Sequence, residues 1–151
     1  MEIRTEINNK TKIALSRSFF NSVIQRTIKQ SGLDFLSKKS ILISIALVDQ
    51  GEMRRINKTF RKKDKATDIL SFAEFESGES LKKIKEKEIF LGELIICYDM
   101  ISGSEKRGIK LKNKFKKRES AYVVSHGVLH LLGFRHGKKM FAIQDAVSQK
   151  N

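Results

Sequence analysis

The chain has 151 residues, 40% of them hydrophobic, enough for one compact domain with a real core and too few for two comfortable ones. Its 31 Lys and Arg against 17 acids give a formal charge of +14, which favours polyanionic partners, nucleic acid first, and works against close self-association. The longest apolar run, ILISIALV at 41–48, cannot span a bilayer, and no basic amphipathic segment stands apart from the globular pattern, so a membrane partner is excluded.

In chain order, MEIRTEINNKTK carries no apolar segment after its charges, and the single Cys97 cannot form an internal disulfide; the expectation is a cytoplasmic protein. Residues 16–32 place Phe19, Phe20, Val23, Ile24 and Ile28 at helical spacing, with Ser18 placed to cap the helix and Gly32 to end it. Ile41 to Val48 reads as a buried strand, and Asp49 caps a second helix through about Phe60, with Met53 and Ile56 inward. RKKDKAT, 61–67, is too charged for core. Ile69 to Phe75 and Ile89 to Cys97 read as two more strands, joined by ESGESLKKIKEKE, which has turn residues but no helical apolar stripe. Cys97 lies in an apolar run and reads as a small buried hydrophobe. Lys114 to Leu132 predicts a long helix, capped by Asn113 and stopped by Gly133, and GKKMFAIQDAVSQKN follows as a short basic tail. Interleaved strands and helices predict an α/β (α+β) fold, a single domain over 1–151 with helices packed on a small sheet whose strand order stays open.

All three histidines fall in SHGVLHLLGFRHG, residues 125–137. Four residues on a helix turn about 40° in excess of one full revolution and rise about 6 Å, so His126 and His130 share a face. Gly133 lets the backbone turn back and deliver His136 as a third ligand from outside the helix. Three neutral imidazoles leave a fourth tetrahedral position to water, the arrangement of a catalytic site, and zinc, one ion per chain, suits these ligands best. The spacing H-x3-H-x2-G-x2-H matches that of metzincin proteases, where the residue after the first histidine is a glutamate general base. Here that residue is Gly127, which argues against peptide hydrolysis. A helical glycine costs about 1 kcal/mol relative to alanine; room for substrate near the metal and close helix packing explain it equally well.

NKTFRKKDKATDILSF, 57–72, runs a basic loop straight into an apolar strand. Arg61 ends an amphipathic helix, where a guanidinium could grip a phosphate in two places; most charges of such a loop, Lys62 and Lys63 among them, read as solvated, with Lys63 and Lys65 kept as candidate phosphate contacts. KRGIKLKNKFKKR, 106–118, has eight of thirteen positions basic, and Lys112, Lys116 and Lys117 in it are candidate phosphate contacts.

Together these stretches resemble the YbeY family of bacterial endoribonucleases, whose signature H-G-x-L-H-L-x-G-[YF]-D-H is matched by HGVLHLLGFRH. NKTFRKKDKATDILSF matches a second family segment, and LGELIIC resembles a third, usually seen with Asp where Glu93 stands. The correspondence runs from about residue 41 to 137. The resemblance implies a zinc-dependent, single-strand-specific endoribonuclease of ribosomal RNA maturation, at the small-subunit 3′ end, and of ribosome quality control. It implies a small mixed sheet of about four strands surrounded by helices, with a metal site at the end of the long helix where His126, His130 and His136 are the zinc ligands, and with catalytic roles for His130 and Arg61. The implied partners are single-stranded RNA, ribosomal RNA or the small subunit, and ribosomal or assembly proteins. Arg135 stands where the family has aspartate, Ala66 and Ala73 where it commonly has proline, and the tail replaces an acidic helix. Two rivals stay open: an RNA-binding ribosome-assembly factor with a structural metal, and a metallohydrolase acting on another substrate class.

Overall fold

A computed structural model of the chain describes residues 1–101 and 116–149. Strand β1 (Glu2–Asn9) turns Ile3, Thr5 and Ile7 to one side and α1 (Arg17–Ser31) follows. The cap of α1 is Ser16, whose hydroxyl accepts from the Phe19 amide; Ser18, the residue expected to cap, instead hydrogen-bonds Ser16. Gly32 ends the helix in the left-handed conformation, as expected. Strand β2 (Ser40–Leu47) leads to α2 (Gln50–Arg61), where Asp49 accepts from the Glu52 amide. Next come β3 (Ile69–Ala73), the short helix α3 (Gly78–Lys82) and β4 (Glu88–Ile96). Beyond it lie α4 (Lys117–Leu131) and α5 (Lys138–Ser148). The expected cap Asn113 and first helical residue Lys114 lie outside the described residues.

The sheet has the order β1-β2-β4-β3, with β1, β2 and β4 parallel and β3 antiparallel on the outer edge. Ile41, Ile43, Ile45 and Leu47 of β2 lie in the larger core with Phe20 and Ile24 of α1, Val124 and Val128 of α4 and Met140 of α5. Met53 and Ile56 of α2 form a second core with Leu70, Ile95 and Cys97. Side chains alternate faces along a strand, so α2 covers one face of the sheet and α1, α4 and α5 the other. That double coverage explains why β2 is nearly continuous in apolar residues instead of alternating. Cys97 is fully buried, and burial pushes its thiol up to about 11, consistent with a hydrophobe and not a nucleophile.

Three elements depart from the sequence reading. The edge strand β1 carries no strand signal in the sequence, because its weak alternation has only two apolar side chains, Ile3 and Ile7. The segment 76–88 contains one capped turn of helix, α3, that buries Leu81. The basic tail is a full helix, α5, whose Met140, Ile143 and Val147 bury at helical spacing against α1 and α4. Among the described residues no helix is long and apolar enough to cross a membrane.

Candidate metal centre

The site begins with how closely α4 approaches the sheet. A Cβ on Gly127 would lie 2.6 Å from Ile69 Cδ1, 2.8 Å from Leu94 Cδ2 and 3.2 Å from Ser71 Oγ. Close helix packing therefore accounts for this glycine, and an opening for substrate is not needed to explain it. His126 directly precedes Gly127, and His130 lies one turn further along α4.

At the end of α4 the Gly133 amide bonds the His130 carbonyl and the Phe134 amide bonds the Leu129 carbonyl at 2.9 Å, closing a left-handed turn with Gly133 at φ 91. A Cβ at Gly133 would also meet the Gly78 backbone nitrogen at 2.6 Å, so the start of α3 buttresses the turn. The reversal returns His136 to the other two imidazoles.

The three Nε2 atoms form a triangle: 3.1 Å from His130 to His126, 3.1 Å from His130 to His136 and 3.3 Å from His136 to His126. Tetrahedral ligands at the zinc–nitrogen distance of about 2.0–2.1 Å are separated by about 3.3–3.4 Å, so the three atoms are spaced as ligands of one ion. Among the described residues these three histidines could hold a metal ion as a group, and no carboxylate joins them.

What lies behind the rings fixes which nitrogens face inward. His130 Nδ1 is 3.1 Å from the Phe134 carbonyl, and His126 Nδ1 is 3.3 Å from Gln144 Oε1. The Gln144 amide nitrogen donates to the Tyr122 carbonyl at 3.3 Å, which turns its oxygen toward His126. Both imidazoles are therefore assigned Nδ1–H donors, leaving Nε2 lone pairs directed at the common point. Burial holds His126 and His130 below the ordinary histidine value, and the neighbouring imidazoles push in the same direction. Neutral rings with converging lone pairs are what a cation requires. Gln144, completely buried on α5, was missed by sequence reasoning; the spacing of Met140, Ile143 and Val147 was the available signal that the tail is a helix able to deliver it.

Arg61 ends α2, on the other face of the sheet, and reaches around the outer edge. Bonds from Cys97 N to Asp68 O and from Glu74 N to Leu91 O show that the even-numbered residues of β3 pair with β4. The Ser71 carbonyl consequently faces the open edge, where Arg61 Nη2 donates to it at 2.7 Å, with the guanidinium carbon 5.1 Å from the Phe72 ring centroid. Arg61 is close enough for its charge to help depress His130, whereas the half-buried Asp68 acts on His126 in the opposite sense. The loop after α2 is pinned by the buried Asn57, whose side chain donates to the Lys65 carbonyl at 2.8 Å while its own carbonyl accepts from the Lys63 amide. Asn57 is a second positioning residue that the sequence reading did not single out.

The lysines are spread out. Lys63 and Lys65 are exposed on the pinned loop. Lys116 and Lys117 sit at the start of α4, nine or more residues before His126, so about 14 Å of helix separates them from the triad. Lys112 lies outside the described residues. A cleft lined by Asp68, Arg118, Tyr122 and Val123 runs along α4 and reaches the turn before His126. Arg135 is exposed and makes no hydrogen bond or ion pair with a described residue.

Residues 5–150 match the family model described as Endoribonuclease YbeY, a wider span than the three motifs alone. The chain is 36% identical over 110 residues to Endoribonuclease YbeY of Staphylococcus saprophyticus, covering 70% of this chain and 69% of that protein. It is 34% identical over 134 residues to that of Caldicellulosiruptor bescii, covering 85% and 81%. It is 31% identical over 154 aligned positions to that of Bdellovibrio bacteriovorus, covering 93% and 89%. The solution structure of a Thermotoga maritima protein superposes with a TM-score of 0.56 at 22% identity, covering 97% of this chain and 88% of that one, a likeness of fold.

Proposed function

This chain belongs to the YbeY family of endoribonucleases, and we propose that its whole length is one metalloribonuclease domain that cuts single-stranded RNA, with one zinc ion held by His126, His130 and His136. The observation that carries this reading is the Nε2 triangle with its Nδ1 partners. A metal held by these three imidazoles would supply Lewis acidity for phosphodiester hydrolysis.

The remaining work falls to the chain. Arg61, steadied by the Ser71 carbonyl and the Phe72 ring, keeps its remaining N–H donors to bind a phosphate and to stabilise the charge that builds up during cleavage. Lys63, Lys65, Lys112, Lys116 and Lys117 hold the RNA backbone without reading sequence. Gln144 and the Phe134 carbonyl keep two imidazoles in the tautomer that faces the ion. The proposed role is maturation of the small-subunit ribosomal RNA 3′ end and ribosome quality control in the cytoplasm, with ribosomal or assembly proteins as partners.

The test is cleavage of a ribosomal RNA fragment carrying the unprocessed small-subunit 3′ end by zinc-loaded protein, chelator-treated protein and the His130→Ala variant, with metal content measured on each. Cleavage by the loaded protein alone is expected. Equal cleavage by all three would sink the metal reading, and bound metal without cleavage would sink the enzyme reading in favour of an RNA-binding factor.

A further inference from the structure

Phe60 is the most exposed large hydrophobic residue among those described, at 63%. It sits in the last turn of α2, where the inward side carries Met53, Ile56 and Asn57, and it is not part of either core. Its position is nevertheless fixed. The ring meets Phe72 edge-on, with centroids 5.5 Å apart and planes at 73°, and the Arg61 guanidinium lies against the same Phe72 ring. Phe72 is half-buried and packs on the second core, so this small stack is anchored in the fold while Phe60 offers a face to solvent.

Its surroundings favour one kind of occupant. Arg61, Lys62, Lys63 and Lys65 are all exposed beside it, while nearby Lys58 and Arg54 are partly neutralised by Asp64. A protein partner needs a wider apolar patch than one ring among cations. A nucleotide in a single strand presents an apolar face flanked by phosphates, which this surface complements.

We propose that the exposed ring of Phe60, braced by Phe72 and Arg61, is a stacking platform for one unpaired base of the RNA substrate, set beside the proposed phosphate contact of Arg61. The proposal rests on the RNA-cleaving reading above and adds to it a physical source of single-strand preference: a base within a duplex cannot leave its stack to occupy the platform without unpairing. Stacking tolerates any base, so it selects strandedness and not sequence.

A double-mutant cycle between protein ring and RNA base tests it. Single-stranded oligonucleotides with one abasic nucleotide stepped along the strand are compared with the intact strand, for the wild type and for Phe60→Ala, Phe60→Trp and Phe60→Leu. Both fluorescence-anisotropy binding and cleavage are measured. Phe60→Ala is expected to weaken binding about tenfold, mainly through KM, with Trp restoring it and Leu not. One abasic position should cost the wild type a similar factor and the alanine variant nothing further. A full abasic penalty retained in Phe60→Ala, or Leu serving as well as Trp, would overturn the platform. Unchanged RNA binding with loss of a protein contact would overturn it in favour of a protein-docking residue. If the wild type binds these strands in a Phe60-dependent way but cuts none, the platform stands and the nuclease reading falls. Because Phe60 is exposed, its replacement leaves both cores intact, and circular dichroism melts check this directly.

Discussion

Gln144 on α5 holds His126 on α4 from behind: its Oε1 lies 3.3 Å from Nδ1, and its amide nitrogen is tied to the Tyr122 carbonyl one turn earlier on α4. The consequence is that the tautomer of a proposed ligand is set by a helix that follows the motif in sequence. Gln144→Leu keeps the approximate volume and removes the acceptor, so metal affinity should fall about 10–100-fold while the helical signal in circular dichroism is retained. Competition against a chelator of known affinity measures this. Unaltered affinity would show that the glutamine serves packing alone.

The two glycines of the histidine motif should respond differently to alanine. At Gly127 the obstructing atoms are methyl ends of Ile69 and Leu94, which can rotate, and a gain of about 1 kcal/mol in helix propensity offsets the crowding. The net change should stay within about 1 kcal/mol. At Gly133 the obstruction is the Gly78 backbone and φ is 91, so nothing yields cheaply. A loss of about 2 kcal/mol, or about 4–8 °C in Tm, is expected there. Thermal melts of the two variants decide the order, and a larger loss at Gly127 would show that the Ile69 and Leu94 methyl ends cannot yield.

Arg61→Lys preserves charge but not the fork that both binds the Ser71 carbonyl and lies on Phe72. The rate of RNA cleavage should fall about a hundredfold with metal content unchanged. Full activity in the lysine variant would reduce Arg61 to a general source of positive charge.

Metal-free protein should lose stability in mild acid through the same histidines. The folded values for His126 and His130 lie below the ordinary 6.5, so below that pH the unfolded chain binds more protons than the folded one. Their contribution is fully present above about pH 6.5 and is lost as pH falls through the lowered folded values. Tm measured from pH 7.5 to 5.5 on chelator-treated protein should therefore drop more steeply for the wild type than for a His126→Leu, His130→Leu double variant. Identical slopes would mean that neither imidazole is held neutral.

The sequence by itself determined the features that depend on near neighbours. Helical periodicity put His126 and His130 on one face, Gly133 marked the turn that brings back His136, Asp49 capped α2, and continuous apolar runs identified β2 and β4 as buried strands. These follow from spacing of a few residues and from backbone preferences that act locally. Tertiary structure decided what depends on distant segments meeting. Only the packed sheet shows that Gly127 is there to let α4 approach β3 and β4, and only the edge position of β3 shows why Arg61 can cross from the opposite face to the Ser71 carbonyl. The role of Gln144 was hidden for the same reason. A polar residue in a basic tail gives no local sign of burial until α5 folds back on α4, and the free energy that places it there comes from Met140, Ile143 and Val147 joining a core assembled from the whole chain.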